Sequence, residues 1–117
     1  RQNLLNCYVI IPEDNVESIG QTIKDMYKIS CGGGGLGFNF SKIRPKGDGL
    51  GNLKYLAPGS ISNMQMIDGI GERVKAGGPR RVALMSILDV THPDILEFLY
   101  LKSGTRKDIQ DKCCWLR

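Results

Sequence analysis

CGGGGLGFNFSKI, residues 31–43, decides how the chain folds, because the order of elements around the glycines is legible. Ahead of it, Asp14 with Glu17 forms a capping-box-like start, and Val16, Ile19, Ile23 and Met26 recur on one helical face. That pattern predicts a helix to about Ile29. Behind it, Phe38 to Ile43 reads as a strand. The glycines therefore leave a helix and enter a strand. A dinucleotide fingerprint needs the opposite order. A P-loop needs Lys and then Ser or Thr after its last glycine, where this chain has Phe38 and Asn39. Both motifs are excluded. What remains is a glycine turn that could lie flat beneath a nucleotide or act only as a tight turn.

Working outward, Leu4 to Ile11 is a short apolar run with β-branched and aromatic residues, ended by Pro12, and it reads as a buried strand. Pro45 to Gly59 holds four glycines and two prolines and reads as a loop. A second helix is expected from Ser60 to Lys75, with Ile61, Met64, Ile67, Ile70 and Val74 inward; Gly69 and Gly71 weaken it, and Gly77, Gly78 and Pro79 stop it. Val82 to Leu88 has strand length. Thr91 and Asp94 can cap a third helix with Pro93 in its first turn, and Ile95, Leu96, Phe98, Leu99 and Leu101 give that helix an apolar face. The order βαβαβα implies an α/β fold with parallel strands and right-handed crossovers. There is no internal repeat.

With 117 residues, the chain is one domain or part of one. Its net charge of +4 is scattered, apart from Arg80-Arg81 and a loose group from Lys42 to Lys54. No basic stripe interleaves with aromatics, which argues against a nucleic-acid partner and leaves a solvated surface or a small phosphate ligand. No stretch approaches the ~18 apolar residues of a membrane span. The opening RQNLLNCYVIIPED has no signal-peptide character, so a cytoplasmic protein is expected. Cys7, Cys31, Cys113 and Cys114 show no CxxC pairing, and the single histidine, His92, completes no zinc spacing. No metal site is expected, and the thiols read as reduced.

Four features could carry chemistry. Cys7, inside the first strand, is either a buried structural cysteine or a redox thiol, since no histidine nearby in sequence could make it an acyl-transfer nucleophile. Cys31 beside the glycines is either a reactive thiol or a filler. Gly77-Gly78-Pro79-Arg80-Arg81 joins a helix to a strand, and its two arginines could grip phosphate, stack on a base or simply be solvated. His92 beside Pro93 fits capping or packing better than acid–base work.

Taken in order, Asn6-Cys7, PEDNVESI, GGGGLGFNFSKIRPKGD, KAGGPRR and HPDILEF resemble the catalytic subunit of ribonucleotide reductases from about Leu4 to Leu101. FNFSKIRPKG and GGPRR look most like the adenosylcobalamin-dependent class. The resemblance implies that residues 1–117 are part of a ten-stranded α/β barrel, with 102–117 a divergent tail. It implies an oxidoreductase that converts ribonucleoside di- or triphosphates to deoxyribonucleotides for DNA synthesis, with adenosylcobalamin as radical source and a dithiol reductant. Cys7 matches the strand cysteine that reduces the ribose 2′ carbon and ends in a disulfide with a distant partner. Asn6, Gly34 and Gly35 match the substrate-binding surface. Asp14, Asn15, Arg44 and Lys46 match an effector site for a deoxynucleoside triphosphate or ATP near a subunit interface, as in a homodimer. Residues 46–59 match the first effector loop. Ala76 to Ala83 matches the second, specificity loop, with Gly77, Gly78, Arg80 and Arg81, Arg80 being its base-contacting arginine.

The chain also departs from that pattern. Cys31 stands where a serine is common, and DKCCWLR matches nothing in it. The Asn-x-Cys-x-Glu motif of the radical cysteine is missing, and Trp115 and Leu116 follow the Cys113-Cys114 pair instead of a glutamate. The isolated chain is therefore expected to be inactive and to need the rest of the barrel. The alternatives are a non-catalytic nucleotide-binding remnant or split-protein fragment, and an unrelated phosphate binder on a three-layer fold.

Overall fold

The computed structural model describes residues 5–50, 53–74 and 82–101. They form β1 (Cys7–Ile10), α1 (Val16–Cys31), β2 (Gly35–Asn39), β3 (Gly49–Leu50), β4 (Leu53–Leu56), α2 (Ser60–Arg73), β5 (Leu84–Ile87) and α3 (Ile95–Tyr100). β1, β2 and β5 make a parallel sheet with β2 in the middle. The α/β alternation expected from sequence is present.

One expectation is corrected outright. Within the stretch 45–59, β3 and β4 pair antiparallel, so a hairpin stands where a loop was expected. Gly51-Asn52 between Leu50 and Leu53 is a two-residue hairpin signal, hidden by the surrounding density of glycine and proline.

Other boundaries shift for local reasons. Asn15, not Asp14, caps α1: its backbone is extended and its Oδ1 accepts from the Ser18 N–H at 2.7 Å. The helix runs to Cys31, where Gly32 N–H reaches the Lys28 and Ser30 carbonyls and Gly33 turns at φ +84°. β2 starts at Gly35, earlier than Phe38. It ends at Asn39, whose Oδ1 accepts from the Ser41 N–H at 3.1 Å and hydroxyl at 2.6 Å and so bends the chain. β5 is shorter than expected, Leu84–Ile87 rather than Val82 to Leu88.

The core lies on one face of the sheet. Leu36, Phe38 and Phe40 alternate inward and pack with Met26 of α1 and with Ile61, Met64 and Ile67 of α2. Ile95, Phe98 and Leu101 close the same cluster, while Leu96 and Leu99 stay exposed. Gly71, which weakens α2 as a helix, lets it approach the sheet: a Cβ there would lie 2.6 Å from Leu84 Cδ1. The opposite face carries Cys7, Val9, Ala83 and Met85, all exposed. Among the described residues β1 lies at one side of the sheet with Val9 67% exposed, so they do not cover it as the buried strand its apolar run suggests.

Gly59 precedes α2 at φ 88°, ψ 174°, a conformation open essentially only to glycine. A Cβ there would also meet the Lys46 backbone N at 2.8 Å. Gly59→Ala is expected to destabilise the protein by about 3 kcal/mol. Gly69→Ala, whose Cβ would meet nothing within 4 Å inside α2, should be neutral or stabilising by up to ~1 kcal/mol. Chemical denaturation of the two variants side by side checks this; equal midpoints would refute it.

Candidate functional site

The face of the sheet that no described helix covers is built from an unusual row of residues. Cys7 lies beside Gly35 in register, and the Gly35 N–H donates to the Asn6 carbonyl at 2.7 Å. On the other side of β2, the Leu36 N–H donates to the Ala83 carbonyl at 3.0 Å, and Ala83 Cβ is the nearest side-chain atom to the Cβ position of Gly35, at 3.8 Å. The next row is Val9, Gly37 and Met85, where Val9 Cγ2 and Met85 Cε lean to 3.8 and 3.7 Å from the Cβ position of Gly37. The result is a floor of bare backbone at Gly35, with an exposed thiol on one flank and apolar side chains at the end. A flat ring could lie against such a floor, with the thiol at its rim.

The glycines of this turn differ in what demands them. A Cβ on Gly34 would lie 2.6 Å from Ile29 Cγ2 and 3.2 Å from the Tyr8 ring, so Gly34 is required by packing. A Cβ on Gly35 would meet nothing closer than 3.6 Å, the Asn6 carbonyl. Strand interiors favour branched side chains, so packing among the described residues gives no reason for glycine there. Asn6 takes part through its carbonyl; by strand alternation its side chain shares the parity of Tyr8, not of Cys7. Cys31 is a free, exposed thiol at the end of α1.

A second cluster gathers beyond the opposite, C-terminal ends of the strands. Arg44 Nε donates to Asp14 Oδ2 at 2.5 Å, and Arg44 Nη1 donates to the Gly49 carbonyl at 3.0 Å. The Asp14 carboxylate, through its hydrogen bond first and its charge second, raises the Arg44 guanidinium above its ordinary pKa; Asp48 adds to this and burial opposes it. Lys42 Nζ reaches Glu13 Oε1 at 2.5 Å, an exposed pair of little energetic weight. Asn15 commits its oxygen to the α1 cap, leaving its NH2 end as donor. Asp14, Arg44 and the start of the hairpin are thus brought together. At about 3.3 Å per residue, the four-residue β1 separates this cluster from Cys7 by roughly 10 Å or more.

Sequence reasoning missed the joint at the base of the hairpin. Asp94 was expected to cap α3, yet it makes no side-chain cap bond there. Its buried carboxylate instead accepts from the Ser60 N–H (3.2 Å), the Ser60 hydroxyl (2.9 Å) and the Lys46 N–H (3.3 Å). It therefore caps α2, whose own N-cap, Gly59, has no side chain to do so. His92, also buried, sets Nε2 2.7 Å from the Ile43 carbonyl and Nδ1 3.1 Å from the Asp94 N–H, the pattern of an imidazole that donates from Nε2 and accepts at Nδ1. His92 is thus a packing and orienting residue, as expected. The available signal was a glycine N-cap with no acidic residue in the first turn of α2, a helix start that needs a cap from elsewhere.

Gly77, Gly78, Arg80 and Arg81 lie outside the described residues, as do Cys113 and Cys114. Among the described residues no cluster of His, Cys, Asp or Glu could hold a metal ion, and no helix is long and apolar enough to cross a membrane.

The family model described as ribonucleotide reductase, barrel domain, matches residues 5–113. The chain is 43% identical over 101 residues to a vitamin B12-dependent ribonucleoside-diphosphate reductase of Thermoplasma acidophilum, covering 86% of this chain and 13% of that protein. A protein of the same description from Mycobacterium tuberculosis is 36% identical over 106 residues, covering 91% and 15%. A ribonucleoside-diphosphate reductase subunit alpha of Helicobacter pylori is 30% identical over 105 residues, covering 90% and 13%. The chain thus spans 13 to 15% of the length of these curated relatives. Among solved structures, the class Id ribonucleotide reductase alpha subunit of Actinobacillus ureae superposes with a TM-score of 0.69 at 24% identity, covering 85% of this chain and 17% of that one. That last likeness is one of fold.

Proposed function

The chain belongs to the ribonucleotide reductase barrel-domain family, and on that premise we propose that it is the part of a reductase that presents one redox thiol to the ribose and holds an allosteric effector. The observation that carries the reading is Cys7 exposed beside Gly35, on a sheet face that no described helix covers. A strand holds its side chains rigidly, so a thiol there can meet one substrate carbon repeatedly.

In this reading Cys7 acts with a second thiol from outside the segment. The 2′ hydroxyl leaves as water, a C2′–H bond replaces the C2′–O bond, and the two thiols supply both hydrogens as they join in a disulfide. A dithiol reductant then reopens that disulfide. Gly35 gives the substrate its flat contact. Asp14, Arg44, Asn15 and Lys46 form the effector site for a deoxynucleoside triphosphate or ATP, far enough from Cys7 for the two nucleotides to bind separately. Gly77, Gly78, Arg80 and Arg81 complete the specificity loop.

Adenosylcobalamin, suggested by the names of the relatives, supplies the radical chemistry when bound. The single histidine has both ring nitrogens engaged inside the fold, so this segment has no free imidazole to offer a corrin cobalt. The groups that hold the cofactor are assigned to the rest of the protein.

The test is thiol accounting in the complete reductase. After prereduction and removal of reductant, Cys7 should alkylate fully; after one turnover of ribonucleotide it should resist alkylation until dithiothreitol is added. Cys7 remaining fully alkylatable after deoxynucleotide has formed would remove it from the reaction.

A further inference from the structure

We infer that Asp94 is a positioning residue for the effector site, the joint that fixes where the 46–59 hairpin stands. The inference rests on the effector reading of Asp14, Arg44 and Lys46 given above. One carboxylate grips both ends of the segment: Lys46, where the chain enters it, and Ser60, where the chain leaves it. Between those points the segment closes on itself, with the Gly47 N–H donating to the Ala57 carbonyl at 3.0 Å and the Ala57 N–H to the Asp48 carbonyl at 2.8 Å.

The grip is aimed at the effector cluster. Arg44 stands two residues before Lys46 and donates to Gly49 within the hairpin while pairing with Asp14. Any displacement of Lys46 therefore moves the partner of Arg44. Gly59 adds a steric lock, since the absence of a Cβ lets it sit against the Lys46 backbone. His92 holds Asp94 in place from behind, tying the Asp94 N–H to the Ile43 carbonyl through its ring. None of these groups faces the Cys7 row, which lies at the other end of the strands.

Asp94→Asn tests this in the complete reductase. The carboxamide sets an NH2 group against the Lys46 N–H, which both carboxylate oxygens now receive, or against both Lys46 and Ser60 donors if it is turned over, so the grip on the hairpin is weakened in either orientation. The dTTP concentration for half-maximal stimulation should rise about tenfold, with unstimulated turnover changed by less than about twofold. Ser60→Ala removes only the 2.9 Å hydroxyl bond and should shift the same constant in the same direction by about threefold. It decides the matter should Asp94→Asn fail to fold. A purely structural Asp94 would lower the melting temperature and unstimulated turnover together, and that pattern overturns the proposal.

Arg44→Ala is the comparator. If it weakens the dTTP response while Asp94→Asn and Ser60→Ala leave it unchanged, the effector reading stands and the positioning role falls. If none of the three alters the response, the effector reading itself falls, and the role of Asp94 with it.

Discussion

Cys7→Ser in the complete reductase is expected to stop multiple turnover, a loss of at least about a thousandfold, because a hydroxyl cannot be oxidised to a disulfide. The fold should not register the change. Cys7 is exposed among the described residues, and serine is slightly smaller than cysteine. Melting temperature and effector binding should stay at their parent values, which separates loss of chemistry from loss of structure. Ordinary turnover of the serine variant with a dithiol reductant would refute the assignment. The same substitution at Cys31 is the control. That thiol ends α1 and lies outside the Cys7–Gly35 row, so Cys31→Ser should leave turnover near normal.

Gly35→Val should lower kcat/KM for ribonucleotide by about a hundredfold, chiefly through KM, while leaving stability unchanged or improved. A Cβ at this position meets nothing closer than 3.6 Å, and the rest of a valine side chain would project into the bare face. That projection occupies the volume which, in the proposed function, belongs to the nucleotide. Gly34→Ala provides the contrast. Its Cβ would collide with Ile29 at 2.6 Å and close on the Tyr8 ring, so its effect should appear in stability. Steady-state kinetics and thermal melts on both variants separate the roles; a Gly35→Val protein with unaltered KM would show that the floor is not a binding surface.

Much of the fold was legible because its signals are local and periodic. The inward sets Ile61, Met64, Ile67 and Ile70 of α2, and Ile19, Ile23 and Met26 of α1, follow helical spacing and are at least partly covered. Val16, the first residue of α1, fits the same spacing but lies 82% exposed. What composition hid was structure carried by few residues. The hairpin has strands of two and four residues, too short for a pattern to rise above the surrounding glycines. The exposure of β1 could not be read from its apolar run, since such a run looks the same whether one face or both are covered.

The candidate site divided along similar lines. Cys7 stands beside Gly35 in register, and Arg44 pairs with Asp14, a contact that the sequence did not foretell. The different reasons for Gly34 and Gly35 became visible only when each missing Cβ could be placed. Asp94 was assigned to the wrong helix because it acts on residues 34 and 48 positions away. Nothing local in HPDILEF indicates that its carboxylate serves a different helix from the one it begins.

The central place of β2 also sets a timetable for synthesis. One neighbour, β1, leaves the ribosome before it, but the other does not: Leu36 pairs with Leu84, which follows it by 48 residues. At roughly 5–20 residues per second, that interval lasts about 2–10 s. Helix formation and loop closure are complete within microseconds on this scale. For those seconds the nascent chain holds its middle strand with one hydrogen-bonding edge unfilled. Translation rate between Asn39 and Leu84, rather than any intrinsic folding step, governs how long that edge stays open.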